Sequence, residues 1–379
     1  MLMMKRTVYD VVVVGGGAAG IGVSVTLQDA GIENFLVVER HTVGSSFAAW
    51  PDETRFITPS FTTNSVGMLD LNSIAIGTSP AYSLKVEHPT GLDYARYVRL
   101  VASQNEIPVR EKTNVLRVSK IGDEFVIDTD TDTIRARHVI WAAGEFQYPS
   151  LSEFTGSELC RHTAMIDSYE SLEGDDFVVI GGFESGIDAA YHLAERARPV
   201  RVFECDRPWE ETTSDPSSAL STFTRERMSE PCFPRNVKLY PGTLVHAVSR
   251  TGRTYEIATI DIATMDERTF RTTSQPILAG GFDGGQKLVM DLFEQRDDGF
   301  PLLNDDDEST IVPGLHLCGP AVRHDGHIFC FIFKYRMRFA VVAKKIATTL
   351  GLPAPLLEDY RSWGMYLDDL SCCGGECTC

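Results

Sequence analysis

Four consecutive valines, Val11–Val14, run straight into Gly15-Gly16-Gly17-Ala18-Ala19-Gly20. An unbroken apolar run of this kind reads as a strand covered on both faces. The glycines follow as G-x-G-x-x-G at the strand-to-helix turn. Gly15 permits the tight turn, Gly17 admits a pyrophosphate, and Gly20 lets the next helix pack closely with its first amides facing the phosphates. Nineteen residues past Gly20, Phe35-Leu36-Val37-Val38 ends in Glu39, a carboxylate placed for the ribose hydroxyls of an adenosine. Strand, glycines and acid in register predict a dinucleotide-binding βα unit.

The pattern then returns. Asp176–Ile180 predicts a buried strand, Gly181-Gly182-Phe183-Glu184-Ser185-Gly186 a turn, and the stretch from Ile187 a helix; Val200–Phe203 ends in Glu204, eighteen residues past Gly186. Phe183 stands where the middle glycine would be, which limits how closely backbone approaches a pyrophosphate. Between the two units, His41–Ala81 is Ser-, Thr-, Pro- and Gly-rich and irregular, a stretch expected to cover a ligand, with Trp50 and Phe56 over it or packed in the core. Gly91–Gln104 has Tyr94, Tyr97, Val98 and Val101 on one helical face. Runs at 115–118, 124–128 and 133–136 predict a β-meander that ends in Val139–Gly144.

Beyond the second unit, Pro208–Pro241 reads as a polar excursion without periodicity. Pro276–Gly281 repeats the sense of Ile140–Gly144, and the two are expected to be paired crossings between domains. Gly314–Pro320 predicts another strand, followed by the polar cluster Arg323, His324 and His327, and then a long buried helix from Ile328 to about Leu350. A length of 379 residues favours two domains. The net charge of −18 argues against nucleic acid and anionic lipid as partners, and the run Asp305–Glu308 reads as a solvated loop. No apolar run approaches a bilayer span. Met1–Arg6 precedes the first strand too closely for a signal peptide, so the expected location is cytoplasmic.

Nine cysteines are unevenly placed. Cys160, Cys205, Cys232, Cys318 and Cys330 are scattered and read as buried, reduced small hydrophobes; Cys372, Cys373, Cys377 and Cys379 fall within the last eight positions. Four thiols around Gly374-Gly375 fit a dithiol shuttle, a soft-metal site for Zn²⁺, Cu⁺ or Hg²⁺, or an accident of composition.

Two fingerprints, each trailed by an acid and a crossing strand, resemble the flavoproteins with two dinucleotide-binding domains. The resemblance covers residues 7–350. It implies an α/β fold of two Rossmann-like, three-layer domains, the NAD(P) domain inserted in the FAD domain: 1–148 and 284–350 for FAD, 149–283 for NADH or NADPH, and 351–379 a cysteine-rich tail. Trp141–Pro149 and Gly181–Asp188 look most like the flavin-containing monooxygenase and bacillithiol-disulfide-reductase-like branches. With Gly15, Gly17, Gly20 and Glu39, the FAD site is expected to include Ala18, Ala19, Arg40, Trp50, Val115, Ala143, Gly144, Gly319 and Pro320. The nicotinamide nucleotide is expected at Gly181, Gly182, Glu184, Ser185, Gly186 and Glu204.

Two features depart from the resemblance. The usual Gly-Asp beside the flavin ribityl is Gly319-Pro320 here, and the monooxygenase signature is only echoed: Phe154 and Gly156 fit, but Cys160 fills the histidine position and His162 lies two places late. No cysteine precedes Cys160, so the flavin-adjacent disulfide of the disulfide reductases is missing, while Cys372-Cys373 is similar to the Cys-Cys end of mercuric reductases. The expected activity is an FAD-dependent NAD(P)H oxidoreductase. Its acceptor is a small thiol, disulfide or thiol-bound soft metal, served by the tail cysteines as redox or metal-binding groups and by His324 and His327. A flavin monooxygenase of a nitrogen or sulfur compound and a redox-sensing, metal-binding flavoprotein are the alternatives, with a homo-oligomer allowed.

Overall fold

The computed structural model describes residues 8–213 and 215–372. The chain forms two units: one from the residues up to Ala48 together with Pro59–Gln147 and the stretch from Gly284 on, the other from Ala49–Thr58 and Tyr148–Asp283.

The first unit opens with β1 (Val8–Val14), α1 (Ala18–Asp29) and β2 (Phe35–Val38). α2 (Ser45–Ala48), α3 (Pro80–Leu84) and α4 (Gly91–Gln104) follow. α4 has the bounds that its periodicity predicts, because Thr90 and Asp93 form a reciprocal capping box and Tyr94, Tyr97, Val98 and Val101 are all buried. Then come β3 (Val109–Arg110), β4 (Val115–Ile121), β5 (Glu124–Thr129) and β6 (Thr133–Trp141). β6 serves two kinds of sheet. Its first half alternates between buried and accessible residues and pairs antiparallel with β5, whereas His138–Trp141 is wholly buried. That is how a strand reads when it passes from a half-solvated meander into a sheet covered on both faces.

The second unit carries β7 (Arg161–His162), β8 (Phe177–Ile180), α5 (Glu184–Glu195) and β9 (Val200–Phe203). The stretch 208–241 is more ordered than its composition predicts. It holds α6 (Thr222–Ser229), α7 (Cys232–Asn236) and β10 (Val237–Tyr240), each too short to register as a periodicity. β10 adds to β9 in parallel. β11 (Thr243–Thr251), β12 (Thr254–Asp261) and β13 (Glu267–Thr272) make a separate antiparallel sheet that the sequence reading passed over, and β14 (Ile277–Leu278) completes the parallel sheet in the order β10-β9-β8-β14-β7. Phe177, Val179, Ile187, Leu193, Val202 and Phe233 share a core on one side of that sheet. Residues 49–58, expected over the first nucleotide, join this unit: Asp188 Oδ2 accepts from Thr54 Oγ1 at 2.7 Å, and Glu53 accepts from Ser168 Oγ, Tyr169 N and Glu170 N at 2.8–3.0 Å.

The chain returns to the first unit with β15 (Leu315–Leu317), which pairs in parallel with the end of β6. β16 (Arg323–His324) and β17 (His327–Ile328) form a small hairpin. The long helix expected from Ile328 is broken into α8 (Ile332–Tyr335), a 3₁₀ turn at Arg336–Arg338, and α9 (Phe339–Thr349). At the break, two buried arginines turn away from the helix surface to carbonyls and a carboxylate elsewhere in the unit.

Two neighbouring buried histidines make the first unit acid-sensitive. His138 on β6 is 6% exposed and His316 on β15 is 0% exposed, with ring centroids 6.1 Å apart. Burial, reinforced by the nearby His316, holds His138 down to about 4, and burial likewise lowers His316. Both are neutral when folded, so the unfolded chain binds the extra protons. The associated stability is present above about pH 6.5 and is lost as pH falls toward 4, by about 3 kcal/mol for His138. Urea unfolding at pH 7.5, 6 and 4.5 should show that loss, with a shallower slope in His138→Leu. An unchanged slope in the variant would refute the assignment.

Candidate functional site

The ends of four parallel strands lie side by side. Val38 pairs with Val14, Val14 with Trp141, and Trp141 with Leu317, so the residues just beyond them are Glu39, Gly15, Ala142 and Cys318. Open parallel sheets bind ligands in the crevice at such carboxyl ends.

The three glycines there differ in what they do. Gly15 sits at φ +114°, and a Cβ would fall 2.3 Å from Ala142 O; at Gly20 it would fall 1.8 Å from Gly15 O. Both are required by the protein itself. A Cβ on Gly17 meets nothing within 4 Å, and its φ of −86° suits any residue. Gly17 caps α1 without a side-chain hydrogen bond, and Ala18 and Ala19 open the helix with no acid in the first turn, leaving its amides for an anion. Glu39 is pre-positioned: Oε2 accepts from Gly16 N at 2.7 Å and Oε1 from His41 N at 2.8 Å. Gly319, at φ +111°, approaches Ala19 closely enough that a Cβ would lie 3.2 Å from that methyl group. Gly144 O accepts from Gly285 N at 2.7 Å, which anchors the turn after Ala143. Arg40 donates through Nε to Gln147 Oε1 at 3.0 Å. Val115 begins β4 beside a bulge, half-buried, and Pro320 is half-buried after Gly319. Trp50 goes with the second unit, stacked on Phe56 at 4.9 Å between centroids.

The second unit repeats the design. Gly181, at φ +99°, would place a Cβ 2.4 Å from Ala279 O, and Gly186 would place one 1.9 Å from Gly181 O. Glu204 Oε2 accepts from Gly182 N, and Oε1 from Asp206 N at 3.0 Å, as Glu39 does in the first unit. Phe183 has φ −86° and ψ −163° where Gly17 has −86° and −166°. The turn is therefore intact, and only the space in front of it differs. Glu184 faces the start of α6, accepting from Ser221 N and Thr224 Oγ1 at 2.5 Å each, with burial raising its carboxyl. Ser185 stays exposed in the first turn of α5.

After Gly319 the structure builds a charged network that the sequence reading missed. Asp307 is 0% exposed and Glu308 9%, so the run 305–308 is not simply a solvated loop. Arg338, 1% exposed, donates to Asp307 at 2.8–3.1 Å, to Asp305 O at 2.5 Å and to Leu367 O at 2.5 Å. Asp307 Oδ1 also meets His324 Nε2 at 2.5 Å. Burial alone would raise Asp307, but Arg338 and His324 hold it below the ordinary carboxylate value. His324 is thus an oriented, buried ring with one nitrogen engaged, while His327 is half-buried on the opposing strand of the hairpin. Arginines two apart at the head of a buried helix were the available signal, because such charges need buried acceptors.

Among the described residues, Cys160, Cys205, Cys232 and Cys318 are free thiols. Against expectation, only Cys318 of the five scattered cysteines is buried: Cys160, Cys232 and Cys330 are half-buried, and Cys205 is exposed because it lies past the end of β9. Burial and then a neighbouring acid push Cys160 up to about 12 and Cys205 up to about 11, so neither is a ready thiolate at neutral pH. His162 fills a structural place, its ring bonding Gly281 O at 2.9 Å and Ala164 N at 3.1 Å. Cys373, Cys377 and Cys379 lie outside the described residues, as does the side chain of Cys372. Among the described residues, no helix is long and apolar enough to cross a membrane.

A sequence profile described as "Pyridine nucleotide-disulphide oxidoreductase" matches residues 12–319. The chain belongs to that family. The cofactors of that family are FAD and NAD(P)H. Among curated relatives, bacilliredoxin reductase Bdr of Bacillus subtilis is 27% identical over 191 residues, covering 50% of this chain and 55% of the relative. The uncharacterized oxidoreductase CzcO of Bacillus velezensis is 26% identical over 191 residues, covering 49% and 52%. The chain spans about half the length of the curated relatives it matches. Bacillithiol disulfide reductase Bdr from Staphylococcus aureus shares the fold at TM-score 0.73 and 18% identity, covering 91% of this chain and 99% of that one. Ornithine N-hydroxylase from Kutzneria does so at TM-score 0.73 and 14% identity, covering 91% and 100%. A fold common to a disulfide reductase and a hydroxylase leaves the acceptor open.

Proposed function

We propose that this chain is an FAD-dependent NAD(P)H oxidoreductase that delivers electrons to a thiol/disulfide acceptor, or to a thiol-bound soft metal, through Cys372, Cys373, Cys377 and Cys379. FAD, when bound, supplies the hydride and electron chemistry. Gly15, Gly17, Gly20 and Glu39 would hold its adenosine diphosphate half, with Ala18, Ala19, Gly144 and Gly319 alongside. For a disulfide acceptor the balance is NADH, one proton and RSSR giving NAD⁺ and two RSH.

One observation carries the proposal: the buried Arg338 joins Leu367 O, at the root of the cysteine-bearing stretch, to Asp307 and so to His324 on the hairpin after Gly319-Pro320. The cysteines then follow from a fixed point tied to the flavin-side loop. A monooxygenase is the second reading, favoured by the lack of any cysteine before Cys160, which leaves no cysteine pair on the first nucleotide-binding helix. Anaerobic turnover with NADH and 5,5′-dithiobis(2-nitrobenzoate), counting two thiols released per NADH, tests the choice. Strict dependence of NADH consumption on O₂, with an oxygenated product, would reject the electron-delivery reading.

NADH is the expected donor. Glu204 and Asp206 would repel a 2′-phosphate, and the nearby arginines are engaged: Arg201 with Asp176 and with Arg271 O at 2.8 Å, Arg207 with Glu210 at 3.3 Å. A preference of roughly tenfold or more in kcat/KM for anaerobic flavin reduction follows from like-charge repulsion. Equal or better use of NADPH contradicts it.

A further inference from the structure

Against α4 in the first unit lies a cleft of about 680 Å³, floored by the buried Tyr97 and Val101. Charged residues make up 23% of the chain, yet none lines this cleft. Its polar groups divide into two sets.

One set is committed to holding the wall. Ser79 Oγ donates to Asp70 Oδ2 at 2.9 Å, Thr78 Oγ1 lies 2.6 Å from Tyr97 OH, and Asn64 Nδ2 donates to Thr78 O at 3.1 Å. Behind them the buried Arg336 donates to Asp70 O at 2.5 Å and Ser73 O at 2.8 Å, so the wall is braced from the head of the final helix. The other set is uncommitted. The side chains of Thr62, Ser65, Tyr82, Ser83 and Gln104 make no hydrogen bond among the described residues, and Asn64 Oδ1 is buried without a partner.

We infer that this cleft binds an uncharged, polyhydroxylated small molecule of the sugar or polyol type, independently of the electron acceptor. An ionic ligand would find no counter-charge there, and a wholly apolar one would strand the cleft's hydroxyls and carboxamides without water. Hydroxyls and carboxamides each donate and accept, which matches a ligand whose own groups do both. Tyr82, 77% exposed, and Leu100, 47% exposed, present ring and aliphatic surface for the C–H face of a sugar. The volume is that of a small-molecule site.

The test uses the full-length, FAD-loaded protein and calorimetric titration with methyl β-D-glucoside, maltose and myo-inositol, with glucose 6-phosphate and glucosamine as charged counterparts. At least one neutral probe is expected to bind saturably, and the charged probes about tenfold more weakly or worse. Tyr82→Ala and Gln104→Leu, both at exposed positions and so without consequence for the fold, should each weaken that binding about fivefold while flavin content stays unchanged. A sugar ring and an open polyol face are separated by whether the glucosides or inositol bind more tightly. The inference is overturned if no neutral probe saturates, if charged probes bind equally well, or if neither substitution alters binding.

Discussion

Removing everything after Leu370 is expected to leave flavin content and anaerobic reduction by NADH unchanged, and to lower transfer to a thiol or soft-metal acceptor by roughly a hundredfold or more. The magnitude is that of losing an intramolecular reactant, whose effective concentration no free thiol matches. The rest of the electron path is left in place. Leu367, whose carbonyl Arg338 holds, and Asp368, paired with Arg361 at 2.7–2.8 Å, both precede the cut. Cys372 and Cys373 follow Leu367 by at most about 20 Å of extended chain, which limits where their sulfurs act. Rapid quenched-flow with NADH-reduced enzyme separates the two half-reactions. Acceptor turnover by the shortened chain at the full-length rate would show the cysteines to be storage or regulatory ligands, and would move weight to the monooxygenase reading.

Gly17→Val is expected to abolish FAD binding, at least about a hundredfold in affinity, without unfolding the protein. The two halves of that expectation rest on one fact: a Cβ at Gly17 meets no protein atom within 4 Å, and φ −86° accepts any side chain. Only a ligand's approach is blocked, with the charge-assisted bonds from helix amides to the pyrophosphate lost. Gly15→Val and Gly20→Val make the contrast, since their side chains would strike backbone oxygens at 2.3 and 1.8 Å and damage the fold itself. Flavin fluorescence and circular dichroism of the three variants decide the matter. A yellow Gly17→Val protein would remove the turn from the FAD site. Phe183 occupies the equivalent place in the second unit with the same backbone, so the substitution has a natural counterpart that folds.

What was legible in the sequence was local or repeated. The two glycine turns are contiguous, their acids follow at the end of the next strand, and the capping box and apolar face of α4 lie within fifteen residues. Short-range stereochemistry is enough to specify such features, which is why the chain's family and its pair of nucleotide turns were readable before any coordinates. Tertiary structure alone decided the rest. Asp307 is buried because partners 17 and 31 residues away, His324 and Arg338, neutralise it, and no local pattern distinguishes it from a solvated acid. Thr54 belongs with the second unit because Asp188, 134 residues later, takes its hydroxyl. The uncharged cleft exists because residues from two separate stretches, 62–65 and 77–83, stand together against α4. Burial and partnership are properties of distant residues brought together, and a linear pattern records only neighbours.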